Sequence, residues 1–291
     1  MKETIINVSI FTLIGISLIS FFTYINASTK EALVSPKQEP TTEIKIDNNQ
    51  ELEDYLVRVV ACEMPALYLN EALKAQAIAS RTYALYQRDI NNVNLTSQDQ
   101  CLLSDEEMHS KWGDNYQKYY DIIVSAVNAT KGIIMKKNNE LFKSFYFSTS
   151  NGYTESSLTV FKEGNLESVS SPWDKENKNY EVTTSFEKSM LEEIFGGFNS
   201  INVGKRNETN HVEEVTIDNK IISGIEFRKL LNLRSTDFEI TKKNGSYEIT
   251  TRGYGHGVGM SQFGANMLAK ENKTYEEILK YYYGNIELKN Y

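Results

Sequence analysis

Cysteine, histidine and proline are all scarce in this chain: two, three and four residues among 291. Two cysteines allow at most one bridge, and a chain of this length can bury a core without it. Cys62 falls in a stretch that reads as buried helix, which argues against pairing it with Cys101, and the count fixes neither an oxidising nor a reducing compartment. The same scarcity gives no metal centre. Cys101 and His109 have no clustered companions, and His211 and His256 stand far apart, so zinc-ligand spacing is missing. A thiol–imidazole pair of Cys62 with His256 would lack an orienting third group. Positive charge is not gathered into a face: 31 lysines and arginines are interspersed with 39 acids, for a formal charge of -8. That excludes a nucleic-acid groove and leaves a sugar or protein partner. There is no internal repeat.

One long apolar run is present. Thr4 to Ile25 carries no charge, and about 20 such residues span a bilayer as a helix. Residues 1–27 are therefore expected to be a cytoplasmic start and transmembrane signal-anchor. A cleaved signal peptide is the alternative, although no clear small-x-small site follows the run. Lys2 precedes it while Lys30 and Lys37 follow, so positive charge does not set the orientation. Residues 28–47 hold two of the four prolines and no helical period, as a tether would.

The folded body is expected over 48–288, with a second lobe at about 156–250. Asn48 and Glu51 form a capping-box-like start, after which Leu52, Tyr55, Leu56, Val59 and Val60 recur at helical spacing up to Pro65. Glu71 to Tyr86 predicts an alanine-rich, closely packed helix, with Lys74 and Arg81 on one face. Gln117 to Thr130 predicts another, stopped by Gly132. Ile133–Met135 and Leu141–Ser148 flank Lys137-Asn138-Asn139 as a hairpin. Turns at Asp218-Asn219-Lys220 and Asn244-Gly245 predict two more, the second pairing Phe238–Thr241 with Tyr247–Thr250. Helices are placed around 186–195, 226–231 and 262–270, and a capping box at Thr274 and Glu277 opens a last helix that ends before Gly284. Helices mixed with antiparallel hairpins make the fold class α+β, in two lobes around a substrate cleft.

Four segments could carry chemistry. Glu63 lies among apolar neighbours in Val59-Val60-Ala61-Cys62-Glu63-Met64-Pro65; lost solvation would raise its pKa and make it a proton donor near neutrality. The plain alternative is a helix-end glutamate pointing to water. Gly253-Tyr254-Gly255-His256-Gly257-Val258-Gly259 has glycine at every second position, which would let backbone amides approach a saccharide beside the imidazole, or would simply be a flexible turn. It is not a dinucleotide fingerprint, because no βαβ unit surrounds it. Ser148, Ser150, Asn151 and Tyr153 offer the hydroxyls, amide and ring of a sugar site. Trp173 beside Asp174 would add a stacking surface and a second carboxylate. For both of these last segments ordinary turn chemistry is the competing reading.

The run from Leu56 to Ala66, with Glu71-Ala72-Leu73-Lys74-Ala75-Gln76-Ala77-Ile78-Ala79-Ser80-Arg81-Thr82-Tyr83, resembles the N-terminal signature of the stage II sporulation protein D family. Gly253 to Ala265 and Ile278 to Gly284 resemble its C-terminal signature, and Ser148–Glu155 and Ser171–Asp174 match in order between them. The likeness covers residues 48 to 288. It implies a peptidoglycan lytic transglycosylase that cleaves the β-1,4 bond between N-acetylmuramic acid and N-acetylglucosamine through one glutamate, Glu63, without a cofactor, leaving 1,6-anhydro ends. It also implies substrate contacts from Lys74, Gln76, Arg81, Tyr83, Ser148, Ser150, Asn151, Tyr153, Asp174, His256 and Gln262, with Lys74 and Arg81 pairing with the lactyl carboxylate or holding Glu63.

The resemblance further implies a protein anchored between mother-cell and forespore membranes. It would act in engulfment on glycan strands stripped by a cell-wall amidase, beside other engulfment membrane proteins. Some relatives look as though they carry zinc on a His and Cys cluster, which Ser97 to Gly113 lacks here, so no metal is expected. Two other readings remain: a non-catalytic glycan-binding module that enhances an amidase, and a structural protein of the engulfment complex. Glu63 favours the enzyme over the first, and the second leaves the Gly-His-Gly loop unexplained.

Overall fold

Helix α1 (Asn49–Glu63) begins where the Asn48 side chain accepts from the backbone N–H groups of Gln50 and Glu51, both at 3.0 Å. It ends because Met64, preceding a proline, is extended. Its stripe Leu52, Tyr55, Leu56, Val59 and Val60 is buried. The computed structural model describes residues 44–46, 48–96 and 99–291. The apolar run from Thr4 and nearly all of the tether lie outside these. Among the described residues no helix is long and apolar enough to cross a membrane.

Helix α2 (Asn70–Leu85), prolonged by a π-turn over Tyr86–Ile90, is the axis of the first core. Ala72, Ala75, Ala77 and Ala79 are fully buried, because small side chains let neighbours approach on several sides. Helix α3 (Asp105–Trp112) starts at a capping box of Ser104 with Glu107, and α4 (Tyr116–Ala129) follows. Strand β1 (Ile133–Lys136), strand β2 (Tyr146–Phe147) and the short α5 (Ser157–Phe161) complete this half.

The second core is built on two antiparallel three-stranded sheets. Strand β3 (Glu181–Glu187) leads into α6 (Lys188–Phe195), then β4 (Ile201–Val203), β5 (Glu214–Ile217) and β6 (Lys220–Ser223), α7 (Gly224–Leu230), β7 (Asp237–Lys242) and β8 (Ser246–Arg252). The sheet orders are β3-β8-β7 and β4-β5-β6. Phe186, Leu191, Phe198, Val215, Phe227, Phe238, Tyr247 and Ile249 fill the space between them. The chain then returns to the first core. Strand β9 (Met260–Ser261), α8 (Gln262–Lys270), α9 (Tyr275–Tyr283) and β10 (Glu287–Asn290) pack with α2 and β1. Ser261 caps α8, a Thr274–Glu277 capping box opens α9, and Gly284 at φ +73° ends it.

The mixed helix-and-hairpin architecture agrees with the α+β expectation, and the 237–252 hairpin forms with Ile240 opposite Ile249. The hairpin expected after Ile133 does not. Beyond a single bridge from Lys137 to Glu140, β1 pairs with the C-terminal β10, Ile133 opposite Asn290. Strand β2 pairs in parallel with β9, Tyr146 opposite Met260. The turn residues Asn138 and Asn139 do adopt positive φ, but the first core supplies both strands with better partners from the end of the chain. The helix placed at 186–195 is strand as far as Glu187, because Phe186 alternates inward opposite Tyr247.

Candidate functional site

Glu63 is the last residue of α1, and its carboxyl borders a cavity of about 360 Å³. Tyr83 and Tyr146 line one part, Phe145, Phe161 and His256 another, and Asp99, Gln100 and Cys101 close it. Both Glu63 oxygens are engaged. Oε1 accepts from the Cys101 backbone N–H at 2.9 Å and Oε2 from Gln262 Nε2 at 3.4 Å. Burial lifts the carboxyl above its ordinary pKa, while the Cys101 N–H, the Gln262 amide and the Lys111 charge pull it back only in part. Lys111 also donates to the Ala61 carbonyl at 2.9 Å, capping the helix end that presents Glu63.

Cys62 and Cys101 are joined in a disulfide, contrary to the sequence expectation. Cys62 is in the last turn of α1, where its side chain is only half-buried, and Cys101 approaches from an exposed segment. The bond therefore fastens the residue beside Glu63 to the residue whose N–H Glu63 accepts. Among the described residues no His/Cys/Asp/Glu cluster could hold a metal ion. Behind Cys101, Gln100 accepts from Tyr55 Oη at 2.9 Å and donates to Tyr146 Oη at 2.7 Å, which fixes the floor.

His256 lies in the cavity wall. Burial first, and then the Arg228 charge, push its pKa down to about 4, so the ring is neutral at pH 7. Its Nδ1 accepts from the Val258 N–H at 3.0 Å, and the Tyr146 backbone pulls the pKa back in part. Phe145, Phe147 and Phe161 surround the ring with centroids 5.3–5.8 Å away.

The alternating glycines of this loop serve protein packing, which corrects their reading as open ground for a ligand. Gly257 has φ +85°, and a Cβ there would meet Glu155 Cγ at 2.9 Å. At Gly259, φ +79°, it would run into the Phe145 carbonyl. Gly259→Ala should therefore cost more than the roughly 1–3 kcal/mol of the backbone conformation alone. Thermal melting should show it as a clear fall in Tm; an unchanged Tm would mean that the loop tolerates side chains.

The remaining predicted site residues divide. Gln262 and Gln76 stand behind Glu63: Gln262 Nε2 reaches Gln76 Oε1 at 3.3 Å, and Gln76 donates to Ser80 Oγ at 3.0 Å. Tyr83 lies in the cavity, and burial raises its hydroxyl to about 12. Arg81 does not belong to the site. It is fully buried and holds Glu53 through Nε at 2.9 Å and Nη2 at 2.6 Å. Lys74 is bound to Glu71 at 2.7 Å, beside the Tyr275 ring.

Asp174 is likewise structural. It is wholly buried, accepts from the Ser150 N–H at 2.8 Å and the Ser261 hydroxyl at 2.9 Å, and burial raises it to about 6. Ser148 contacts the Thr149 hydroxyl, Asn151 is buried against Asp237 at 2.8 Å, and Tyr153 is exposed. Trp173 donates to Glu271 at 2.7 Å. None of these six residues lines the Glu63 cavity.

The second carboxylate in the cavity is Asp99, which sequence reasoning missed together with Gln100, Tyr146 and Phe161. The pairing of the two cysteines was the signal that would have drawn the 99–101 segment to Glu63.

Fold and site together define a mixed α+β protein with a half-buried glutamate at an aromatic-walled cavity. The family profile described as stage II sporulation protein matches residues 41–136. Stage II sporulation protein D of Bacillus subtilis (strain 168) is 40% identical over 256 residues, 82% of this chain and 75% of that protein. The protein of that name from Bacillus amyloliquefaciens is 35% identical over 275 residues, 89% of this chain and 80% of that one. The chain belongs to the stage II sporulation protein D family. It is also similar to the amidase enhancer of Bacillus subtilis (strain 168), 28% identical over 300 residues but covering 40% of that protein.

Proposed function

We propose that the chain is a peptidoglycan lytic transglycosylase of sporulation with Glu63 as its proton-transfer group. One observation carries the reading: a carboxyl kept protonated to higher pH by burial, held at both oxygens, faces a cavity with aromatic walls. Protonated Glu63 gives its proton to the glycosidic oxygen as the bond from muramic C1 breaks. The resulting carboxylate takes the proton of the C6 hydroxyl as O6 attacks C1, so the ring closes to the 1,6-anhydro form and no water is consumed. Tyr83, Tyr146 and Phe161 offer faces for sugar rings, and Asp99 is the carboxylate available to the positive charge developing at C1.

The apolar run at Thr4 to Ile25 would anchor the protein with its body outside the cytoplasm, between mother-cell and forespore membranes. Its substrate would be strands stripped by a cell-wall amidase working in the same engulfment assembly.

Incubating the full-length protein with peptide-stripped glycan and reading product ends by mass spectrometry tests this. Anhydro ends support it; reducing ends would make the protein a hydrolase. Binding with no cleavage would favour the second reading, a glycan-binding module that enhances an amidase, for which the likeness to the amidase enhancer speaks.

Activity should also depend on pH in a set direction. Glu63 must start protonated, so the rate falls as pH rises through its raised pKa. Gln262→Leu removes a donor to the carboxylate while keeping the site dry, which raises that pKa further. The alkaline limb of kcat/KM should therefore move to higher pH. A limb that stays put or moves down would show that another group controls it.

A further inference from the structure

A second cavity, about 420 Å³, adjoins the first, and Phe161 and His256 line both. Its far wall comes from the second half of the fold, with Arg228 and Ile225 on α7, Thr236 and His211, and Glu155 joins it from the first half. The charged groups here are not equally satisfied. Glu155 has both oxygens occupied: Oε2 accepts from Asn207 Nδ2 at 2.7 Å, and Oε1 meets the Thr209 hydroxyl and His211 Nδ1, the latter at 2.9 Å. Glu213, on the same lining, pairs with Lys205 at 2.7 Å.

Arg228 has no such counterpart. Its Nε donates to the Leu233 carbonyl at 3.0 Å and Nη2 to the Arg234 carbonyl at 3.1 Å, and among the described residues no carboxylate pairs with it. It lies largely buried, close enough for its charge to depress the imidazole of His256 on the shared wall. Lys162, also on this lining, is exposed and its Nζ donates to the Thr159 carbonyl at 3.0 Å. The cation without a carboxylate partner that is held within the wall is the Arg228 guanidinium, next to the wall along which a glycan would leave the Glu63 cavity.

We propose that the second cavity receives the neighbouring saccharide of the strand and that Arg228 pairs with a free carboxylate on it, the lactyl group of a muramic acid that has lost its stem peptide. The inference rests on the proposed function and adds the residue that reads the substrate. A lactyl group still joined to peptide is an amide. It bears no charge and cannot accept the charge-assisted hydrogen bonds that a guanidinium gives a carboxylate. The role assigned from sequence to Lys74 and Arg81 thus passes to Arg228, since those two already have carboxylate partners.

The test uses the full-length protein and two glycans, one peptide-stripped and one with the same lactyl carboxylates converted to methylamides. The parent should prefer the carboxylated glycan by about tenfold or more in kcat/KM, the size of one good charged hydrogen bond. Arg228→Gln should bring that ratio toward one through loss on the carboxylated substrate. Because Arg228 also ties down two carbonyls, a second variant leaves those bonds alone. Ile225→Glu, at an exposed residue of the same lining one turn earlier, sets a carboxylate beside Arg228 and should erase the preference in the same way. Equal treatment of the two glycans by the parent overturns the inference, as does full preference in both folded variants. If the parent cleaves neither glycan, the lytic reading fails separately, and calorimetric binding of the two glycans to parent and variants reads the same preference.

Discussion

Glu63→Gln is expected to lower formation of anhydro ends by about 10²-fold or more while glycan binding persists. Glutamine is nearly isosteric and still accepts from the Cys101 N–H, and its NH2 faces the Gln262 side-chain amide, which can flip to turn its oxygen toward it, so cavity and loop keep their shape. It has no acid proton to give and cannot take one back. Mass-spectrometric quantitation of anhydro-muramyl ends beside a glycan pull-down reads both halves, and turnover at the parent rate would end the assignment. Asp174→Asn is the contrasting case. Asp174 lies in the core and receives one donor on each oxygen, so the amide would turn an NH2 toward one of them. Its loss should register in melting temperature before it registers in chemistry.

The largest effect on stability is expected from Arg81→Leu. The guanidinium has no exposure, and Glu53, which it holds through two bonds, is 4% exposed. Leucine would leave Glu53 with the Gly132 N–H at 3.2 Å and no compensating charge. Breaking one side of such a pair costs about 3–5 kcal/mol, which for a domain of this size is a fall in Tm of about 10 °C or more. The double variant Glu53→Leu with Arg81→Leu should recover part of that loss, because no orphaned charge remains. A single variant that melts with the parent would show that the pair contributes little.

Helix starts and stops could be read in the sequence where capping chemistry is local. Asn48, Thr274 with Glu277, and Gly284 act as their residue types suggest, and the hairpin closes at Asn244-Gly245 with Gly245 at φ +85°. Strand partners could not be read in the same way. The partner of Ile133 is Asn290 and that of Tyr146 is Met260, choices made by the burial of whole faces, on which a turn signal at Asn138 has little influence.

In the site, Glu63 and His256 line one cavity because the Glu-Met-Pro stop and the Gly-His-Gly loop each fix a backbone locally. Arg81 was misread because helical spacing tells which residues share a face but not what that face meets. It meets Glu53, from the preceding helix. Asp99 escaped notice because nothing near it in sequence resembles a site, and its segment is brought there by long-range contacts, the Cys62–Cys101 bond and the hydrogen bonds of Gln100 to Tyr55 and Tyr146.

The contact between Gln262 and Glu63, 199 residues apart, has a consequence for how the molecule comes into being. The first core stays incomplete until β9, α8, α9 and β10 are in place, since they give β1 and β2 their partners and cover α2. Contacts of such long sequence separation form late. A nascent chain emerging from its N-terminus therefore carries Glu63 for most of its synthesis without the amide that orients it or the His256 wall that encloses it. Assembly of the cavity is timed to the last stretch of the polypeptide, and a chain interrupted before Gln262 holds a carboxyl but no site.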